Sequence, residues 1–585
     1  MTVQRPLYLA VPQVPGPAFA WYHPAAQPAP LGVVLCAPHG SELMCCYRAL
    51  RILAETLAKA GIPVMRVDYH GTGDSAGGDE DPDRVAAWLG SIDAAVDALR
   101  HQSGVGQVSL VGVRLGALLA AAVTARRDDI ASLVLWGACR SGKAYVREQR
   151  VLRMAEAKHA GGDTVLDGQG STEEAAGFAL TGQTIAQLGT LDFATLTRTA
   201  PKVLCIARDD FGPDNKIVSA LGKHGADVTS VEWPGFAKMM LAPHYSIPPE
   251  SLFAALAGWL TAQPGAAPTV AVAATTDSAT WTEPHGDVVH EEVIRFGDGR
   301  LVGLVCHPPD LARGTVILAN TGANHHVGPN RMYVTMARRW ATLGFRVLRM
   351  DTSGIGDSDA PIGSIGNRPY TVHGVSDLGA GLAELQRRWP TKRAIVIGLC
   401  SGAYVAFNAS LEGLPLDAQI LVNPQTFYWK EGDTIDVAPG KIYDGVQYYR
   451  RSLWKLESWK KALTGRIQYR KIASLLGARA RIVADGAVKK IVRRHGRRFG
   501  LRTGDDVGAD LATITDRGID TFIVFSAGDP GIDYLVRHAG SELERLQRRP
   551  NFNMAYIDGA DHTFTALAAQ ERLFELVTQH LLGPK

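Results

Sequence analysis

Long apolar runs are missing from this 585-residue chain, and so is a leader in which a basic start gives way to an apolar stretch. The first absence argues against a membrane-spanning helix and the second against secretion; the chain opens Met1-Thr-Val-Gln-Arg-Pro. Cysteine is scarce: seven residues, with no disulfide-like spacing and no grouping with histidine that would suit a metal. A reduced, cytoplasmic, soluble protein without metal or redox cofactor is expected. Net charge is only +3, and no recognised nucleic-acid module is present, so nucleic acid is not an expected partner.

What the chain does contain is a tight turn with a thiol at its apex. Gly398-Leu-Cys-Ser-Gly402 follows the apolar run 394–397 and precedes a helical run, which reads as strand, sharp turn and helix. In a nucleophile elbow, flanking glycines permit a strained turn that lifts the central side chain above the sheet. A thiolate at a helix N-terminus gains from the positive end of the helix dipole and is a strong nucleophile. Cys400 is therefore the candidate nucleophile for acyl chemistry through a thioester.

The partners follow in hydrolase order. The strand-like run 521–525 ends near Asp529, the candidate orienting acid, with Asp533 as the alternative. The run 553–557 leads into Asp558-Gly-Ala-Asp-His562, where His562 is the candidate base and Asp561 is expected to be a cap or a solvated loop residue. The oxyanion donors expected are the N–H of Ser401 and those of Gly322 and Ala323, in the loop after the run 315–319. His325, His326 and Arg331 in and after that loop are candidates to face substrate, or to cap the next helix and meet solvent.

The plan occurs twice. Residues 66–75, Arg-Val-Asp-Tyr-His-Gly-Thr-Gly-Asp-Ser, match residues 349–358, Arg-Met-Asp-Thr-Ser-Gly-Ile-Gly-Asp-Ser. This is a duplication, but its first copy has lost the chemistry. Arg114 stands at the nucleophile position, Lys238 aligns with His562, and only Asp210 of the three survives. A guanidinium stays protonated at neutral pH and cannot accept an acyl group. Arg114 has two readings: it fills a defunct pocket and pairs with Glu42, or it makes the elbow a carboxylate or phosphate site. His244 is the remaining histidine that could replace the lost base.

Length alone implies several domains. The boundaries expected are a degenerate hydrolase-like domain at 1–260, an Ala/Pro/Thr-rich linker at 261–286, and a catalytic domain at 287–585 opening with a hairpin, 291–296 against 301–306. Each domain carries a lid insertion, at about 140–199 and 425–510. The second is basic: 19 Lys and Arg against 6 Asp and Glu between Trp429 and Arg502. Such a run is either a solvated face or a dock for an anionic partner: a phosphopantetheine carrier, coenzyme A, a polyprenyl phosphate or the anionic face of the inner membrane.

These motifs resemble a known group. The C-terminal half is similar to type 1 exosortase A system-associated α/β-hydrolases through its Gly-Leu-Cys elbow, the loop Gly328-Pro-Asn-Arg331, the segment 351–358 and the lid stretch 459–466. The N-terminal half resembles type 2 through Gly112-Val-Arg-Leu-Gly-Ala117. The resemblance implies two tandem α/β-hydrolase domains, each a mostly parallel, doubly wound sheet with a helical lid, and a link to surface-polysaccharide or related biosynthetic loci. Together the motifs imply a Cys-His-Asp acyl hydrolase or acyltransferase, an esterase or thioesterase, with a small acyl donor that is carrier- or CoA-linked. The alternative is a non-catalytic scaffold of a biosynthetic assembly.

Overall fold

The computed structural model describes residues 3–27, 29–160, 172–263, 276–430, 433 and 505–583. They form two compact units: Met1–Val396 with Gly559–Lys585, and Ile397–Asp558. The first unit holds all of the first sequence copy plus the opening half of the second.

Strands of the first copy are β1 (Arg5–Leu9), β2 (Ala18–His23), β3 (Leu31–Cys36), β4 (Val64–Val67), β5 (Gln107–Val113), β6 (Ile130–Trp136), the hairpin β7 (Glu173–Ala175) and β8 (Phe178–Leu180), then β9 (Lys202–Ala207) and β10 (Asp227–Glu232). The eight-stranded sheet runs β1-β2-β4-β3-β5-β6-β9-β10. Its first two pairings are antiparallel and the rest parallel. The central strands are buried on both faces, which explains their continuous apolar sequence. Helices cover each side. In the helix Arg84–Ser103, Val85, Trp88, Ile92, Ala95, Val96 and Leu99 recur at helical spacing and pack into one core layer. The helices Ser41–Lys59 and Glu250–Thr261 supply the opposite layer through Leu50, Leu53, Leu57, Phe253, Leu256 and Leu260.

The second copy repeats the pattern. In the first unit lie β11 (Ser278–Thr282), β12 (Val288–Phe296), β13 (Leu301–His307), β14 (Gly314–Ala319) and β15 (Phe345–Asp351), ordered β11-β12-β13-β15-β14. The unit boundary falls within β16 (Ala394–Leu399), which the second unit continues with β17 (Ala418–Val422), β18 (Asp520–Ser526) and β19 (Phe552–Ile557), the last three parallel. The chain is thus α/β, with two tandem α/β-hydrolase domains.

The hairpin expected at 291–306 forms as β12 and β13, joined through Gly297 and Gly299 at positive φ. Part of the stretch read as linker is a strand: Ser278–Thr282 pairs with β12, and Trp281 is buried there against Ala76 and Val289. The first lid is helical only in part, since the β7–β8 hairpin lies between the helices Gly142–Ala160 and Gly182–Leu188. Most of the basic lid lies outside the described residues. No described helix is long and apolar enough to cross a membrane.

Candidate functional site

Cys400 sits where β16 turns into the helix Ser401–Glu412, with φ 57° and ψ −110°. A side chain in that region costs about 1–3 kcal/mol and persists only where its surroundings impose it. They do: Cys400 N–H donates to the Val422 carbonyl at 2.9 Å, and any Cβ at Gly398 would lie 2.1 Å from the backbone of Gly402. Gly398 is thus required for strand and helix to approach this closely. Cys400 is half-buried and Ser401 is buried at the first turn of the helix.

In the same unit, Asp529 follows β18 as expected. Its carboxylate caps the helix Pro530–Ala539, accepting from Gly531 N–H at 2.7 Å. Asp533 lies exposed inside that helix. In the other unit, His562 is half-buried in the loop before the helix Leu567–Leu582, and Asp561 caps the turn by accepting from the Thr565 N–H and hydroxyl, each at 2.6 Å. Gly322, at φ 59°, and Ala323 occupy the loop after β14.

The degenerate elbow keeps the strained backbone without the nucleophile. Arg114 has φ 54° and ψ −120°, and its N–H donates to Trp136 O at 3.0 Å, the counterpart of the Cys400 bond. Its Nε pairs with Glu42 at 2.7 Å, as one reading of the sequence expected; Glu148 takes an outer amine and the Gly137 carbonyl accepts from the third nitrogen. Asp210 is exposed and holds Arg208 in a two-point pair at 2.8 and 2.6 Å. Its neighbour Asp209 bonds the 235–237 loop, accepting from the N–H groups of Gly235 and Ala237. Lys238 points to solvent from the short helix Phe236–Met239, and His244 lies against Tyr245.

His325, His326 and Arg331 are held by the protein's own groups. His326 is buried and bridges two carboxylates, Asp351 through Nδ1 and Asp74 through Nε2, both at 2.7 Å. Burial alone would strip its proton, but Asp74 and Asp351 override that and hold the ring charged, well above the usual histidine range. His325 stacks on Tyr47, ring centroids 3.6 Å apart. Arg331 donates to the carbonyls of Gly73, Gly77 and Ser75. A histidine in a polar loop looks solvent-directed in sequence; here the first copy supplies its partners.

These contacts belong to a reciprocal lock between the duplicated segments. In each, the second Asp donates its N–H to the carboxylate of the first, Asp74 to Asp68 at 3.0 Å and Asp357 to Asp351 at 2.9 Å. The following serine ties the loop to the opening hairpin, Ser75 to Phe19 and Ser358 to Val302. The Asp side chains then cross over: Arg66 pairs with Asp357 and Arg349 with Asp74, each at 2.5 Å. Arg51 donates to the carbonyls of Gly356 and Ser358, and Arg338 returns the contact to Asp74 and Ser75. Buried Glu291 holds Arg338 and Arg349 together. The matched segments were visible in sequence; nothing in them told that each would choose the other as partner.

His326, Asp351 and Asp357 offer ligand atoms within 4.8 Å of one another, the geometry of a cation site. The imidazole, however, spends both nitrogens on carboxylates, and Asp357 is neutralised by Arg66. The side chains fit a charge-compensated lock better than a metal.

Two outcomes are expected from the lock. Asp74→Ala takes one of two carboxylate partners from both Arg349 and His326, leaving them Glu291 and Asp351, and losing one partner of a buried pair costs about 3–5 kcal/mol; denaturant unfolding of the full chain reads this, and a loss below 1 kcal/mol would contradict it. The second is pH-dependent. Among the described residues Asp68 has no histidine like that of Asp351, and burial with the adjacent Asp74 carboxylate pushes it up to about 7. An acid raised on folding contributes stability that is full below its unfolded value, about 3.9, and lost as pH rises through its folded value. Asp68→Asn should therefore flatten the fall in stability across that window, and a variant with the wild-type slope would refute the assignment.

A family model described as Hydrolase_4, serine aminopeptidase S33, matches residues 28–164 and 311–566. No curated protein matches the sequence. Similar solved structures include Est1E from Butyrivibrio proteoclasticus, at 17% identity and TM-score 0.31, covering 44% of this chain and 97% of that one. An α-β serine hydrolase homologue from Coxiella burnetii is similar at 15% identity and TM-score 0.29, covering 50% and 96%. An esterase from Pyrococcus furiosus shows 18% identity and TM-score 0.32, covering 50% and 90%.

Proposed function

Because the chain belongs to the serine aminopeptidase S33 family of α/β-hydrolases, and is an enzyme of that class, we propose that its second copy is a cysteine-dependent acyl hydrolase or acyltransferase. The single observation that carries this is the strained elbow at Cys400, where the glycine contact and the positive φ raise a thiol at a helix start.

In the proposed reaction the Cys400 proton passes to His562 as Sγ adds to an ester or thioester carbonyl. Asp529 orients the histidine, and N–H groups of Ser401, Gly322 and Ala323 bind the oxyanion. Collapse breaks the bond to the leaving alcohol or thiol, which takes the proton from His562. Water, or an acceptor alcohol or amine, then adds to the thioester with its proton going to His562, and the C–Sγ bond breaks to return the thiol. The donor is a small acyl group, free or carried on coenzyme A or a carrier protein; the basic composition of residues 429–502 suits such an anionic carrier. The first copy, with Arg114 and Lys238 in the catalytic positions, takes no part in bond-making.

Alkylation tests the assignment. Burial pushes the thiols of Cys45 and Cys205 up to about 11 and 12, and raises Cys36, Cys46, Cys139 and Cys306 as well. Limited iodoacetamide is therefore expected to modify Cys400 first, as read by peptide mass. Turnover of a short-chain p-nitrophenyl ester should fall in proportion to that modification; full turnover with Cys400 stoichiometrically alkylated would remove it as nucleophile.

A further inference from the structure

The degenerate elbow of the first copy opens on a cavity of about 530 Å³, within the range of about 300–1,000 Å³ that holds small ligands. It lies at the C-terminal ends of β6 and β9, where open α/β sheets bind their ligands. Its floor is apolar, from Leu135, Ala138, Ile206, Ile217 and Val218. Four arginines line the cavity, Arg114, Arg140, Arg147 and Arg208, with Glu148 and Asp214 beside them; the exposed Arg140 and Arg147 mark its mouth. Arg208 is spent on Asp210, but neither Arg140 nor Arg147 has an ion-pair partner among the described residues.

Arg114 is the informative member. It is almost fully buried, and two carboxylates from different elements share it. Glu42, on the helix Ser41–Lys59, is the inner one, and Arg114 keeps its burial tolerable through that pair. Glu148, on the lid helix Gly142–Ala160, is the outer one; its side chain is 46% exposed and it also lines the cavity. A half-exposed ion pair is worth little to the fold. A ligand carboxylate or phosphate would make the same charge-assisted bond to the same amine.

We propose that this cavity binds an amphipathic anion, a carboxylate or phosphate head on a compact apolar body, with Glu148 holding the place of the head until the ligand displaces it. Arg114 anchors the head, Arg140 and Arg147 draw it to the mouth, and the floor takes the apolar body. The duplication has then exchanged a nucleophile for an anchor while keeping the elbow that aims it. This assignment is independent of the acyl chemistry proposed for the second copy.

Calorimetric titration of the full chain with octanoate and with octyl phosphate tests it, with octanamide as the uncharged control. At least one anion should bind and the amide should not; the stronger of the two identifies the head group. Glu148→Gln, which removes the competitor and leaves Arg114 paired with Glu42, should tighten binding severalfold. Val218→Trp, which fills the floor without touching a charge, should weaken it at least tenfold. Prior alkylation of Cys400 should leave binding unchanged, which separates this site from the other copy. Binding of neither anion, equal binding of the amide, sensitivity to Cys400 alkylation, or indifference to either substitution would overturn the proposal.

Discussion

Cys400→Ala is expected to abolish turnover of short acyl esters and thioesters, with kcat falling by about 10⁴-fold or more. The size follows from the step assigned to the thiol: without Sγ no covalent intermediate exists, and only binding and oxyanion donors remain to assist direct attack by water. The variant is expected to fold. The backbone bond and the Gly398–Gly402 contact that fix the turn do not involve the side chain, and alanine at φ 57° is strained no more than cysteine. Steady-state kinetics on variant and wild type at matched thermal stability check the expectation, and a variant within tenfold of wild type would contradict it. Cys400→Ser separates the roles further: the hydroxyl keeps the geometry but has a far higher pKa, so a large loss is expected in acylation.

His562→Ala should cost about 10³-fold or more in kcat, because the proposed base serves both halves of the cycle. The thiol is unusual among nucleophiles in retaining a few per cent thiolate at neutral pH, so acylation should recover as pH is raised toward 9, while deacylation remains slow. The expected signature is a burst followed by a much slower steady state, partly rescued by added imidazole. A variant with wild-type turnover would show that another group moves the proton. Asp529 should matter less and in two ways. Its carboxylate caps the helix Pro530–Ala539, so Asp529→Ala combines lost activity with about 1 kcal/mol of lost stability; Asp529→Asn, which retains a capping oxygen, is expected to lose activity alone.

Different parts of the molecule were legible in sequence to different degrees, for physical reasons. The two elbows were readable because the turn demands glycines at fixed offsets from its apex, a local constraint that sequence records directly. The pairing of Arg114 with Glu42 followed from the cost of burying a lone guanidinium. The strand Ser278–Thr282 was hidden because four of its five residues are small or polar and only Trp281 marks a buried face. The lock between the repeats was hidden for a different reason. Asp74 and Asp357 look alike in sequence, and their choice of Arg349 and Arg66 across the duplication is a tertiary event with no local signature. The same applies to His326 and Arg331, whose partners Asp74, Gly73, Ser75 and Gly77 lie some 250 positions away.

The lock also gives the first copy a use that needs no catalysis. It completes the charge balance of the 351–358 segment and orders the loop carrying His325 and His326 through Tyr47 and Asp74. Loss of nucleophile and base in the first copy is compatible with its retention on these grounds alone.

Intact-mass analysis of the full chain after brief exposure to a short-chain acyl thioester tests the central claim most directly. A single added acyl mass, mapped to the peptide containing Cys400, released by hydroxylamine and absent from Cys400→Ala, is the result the account predicts. No adduct from any acyl ester or thioester, or an adduct that persists undiminished in Cys400→Ala, would contradict it.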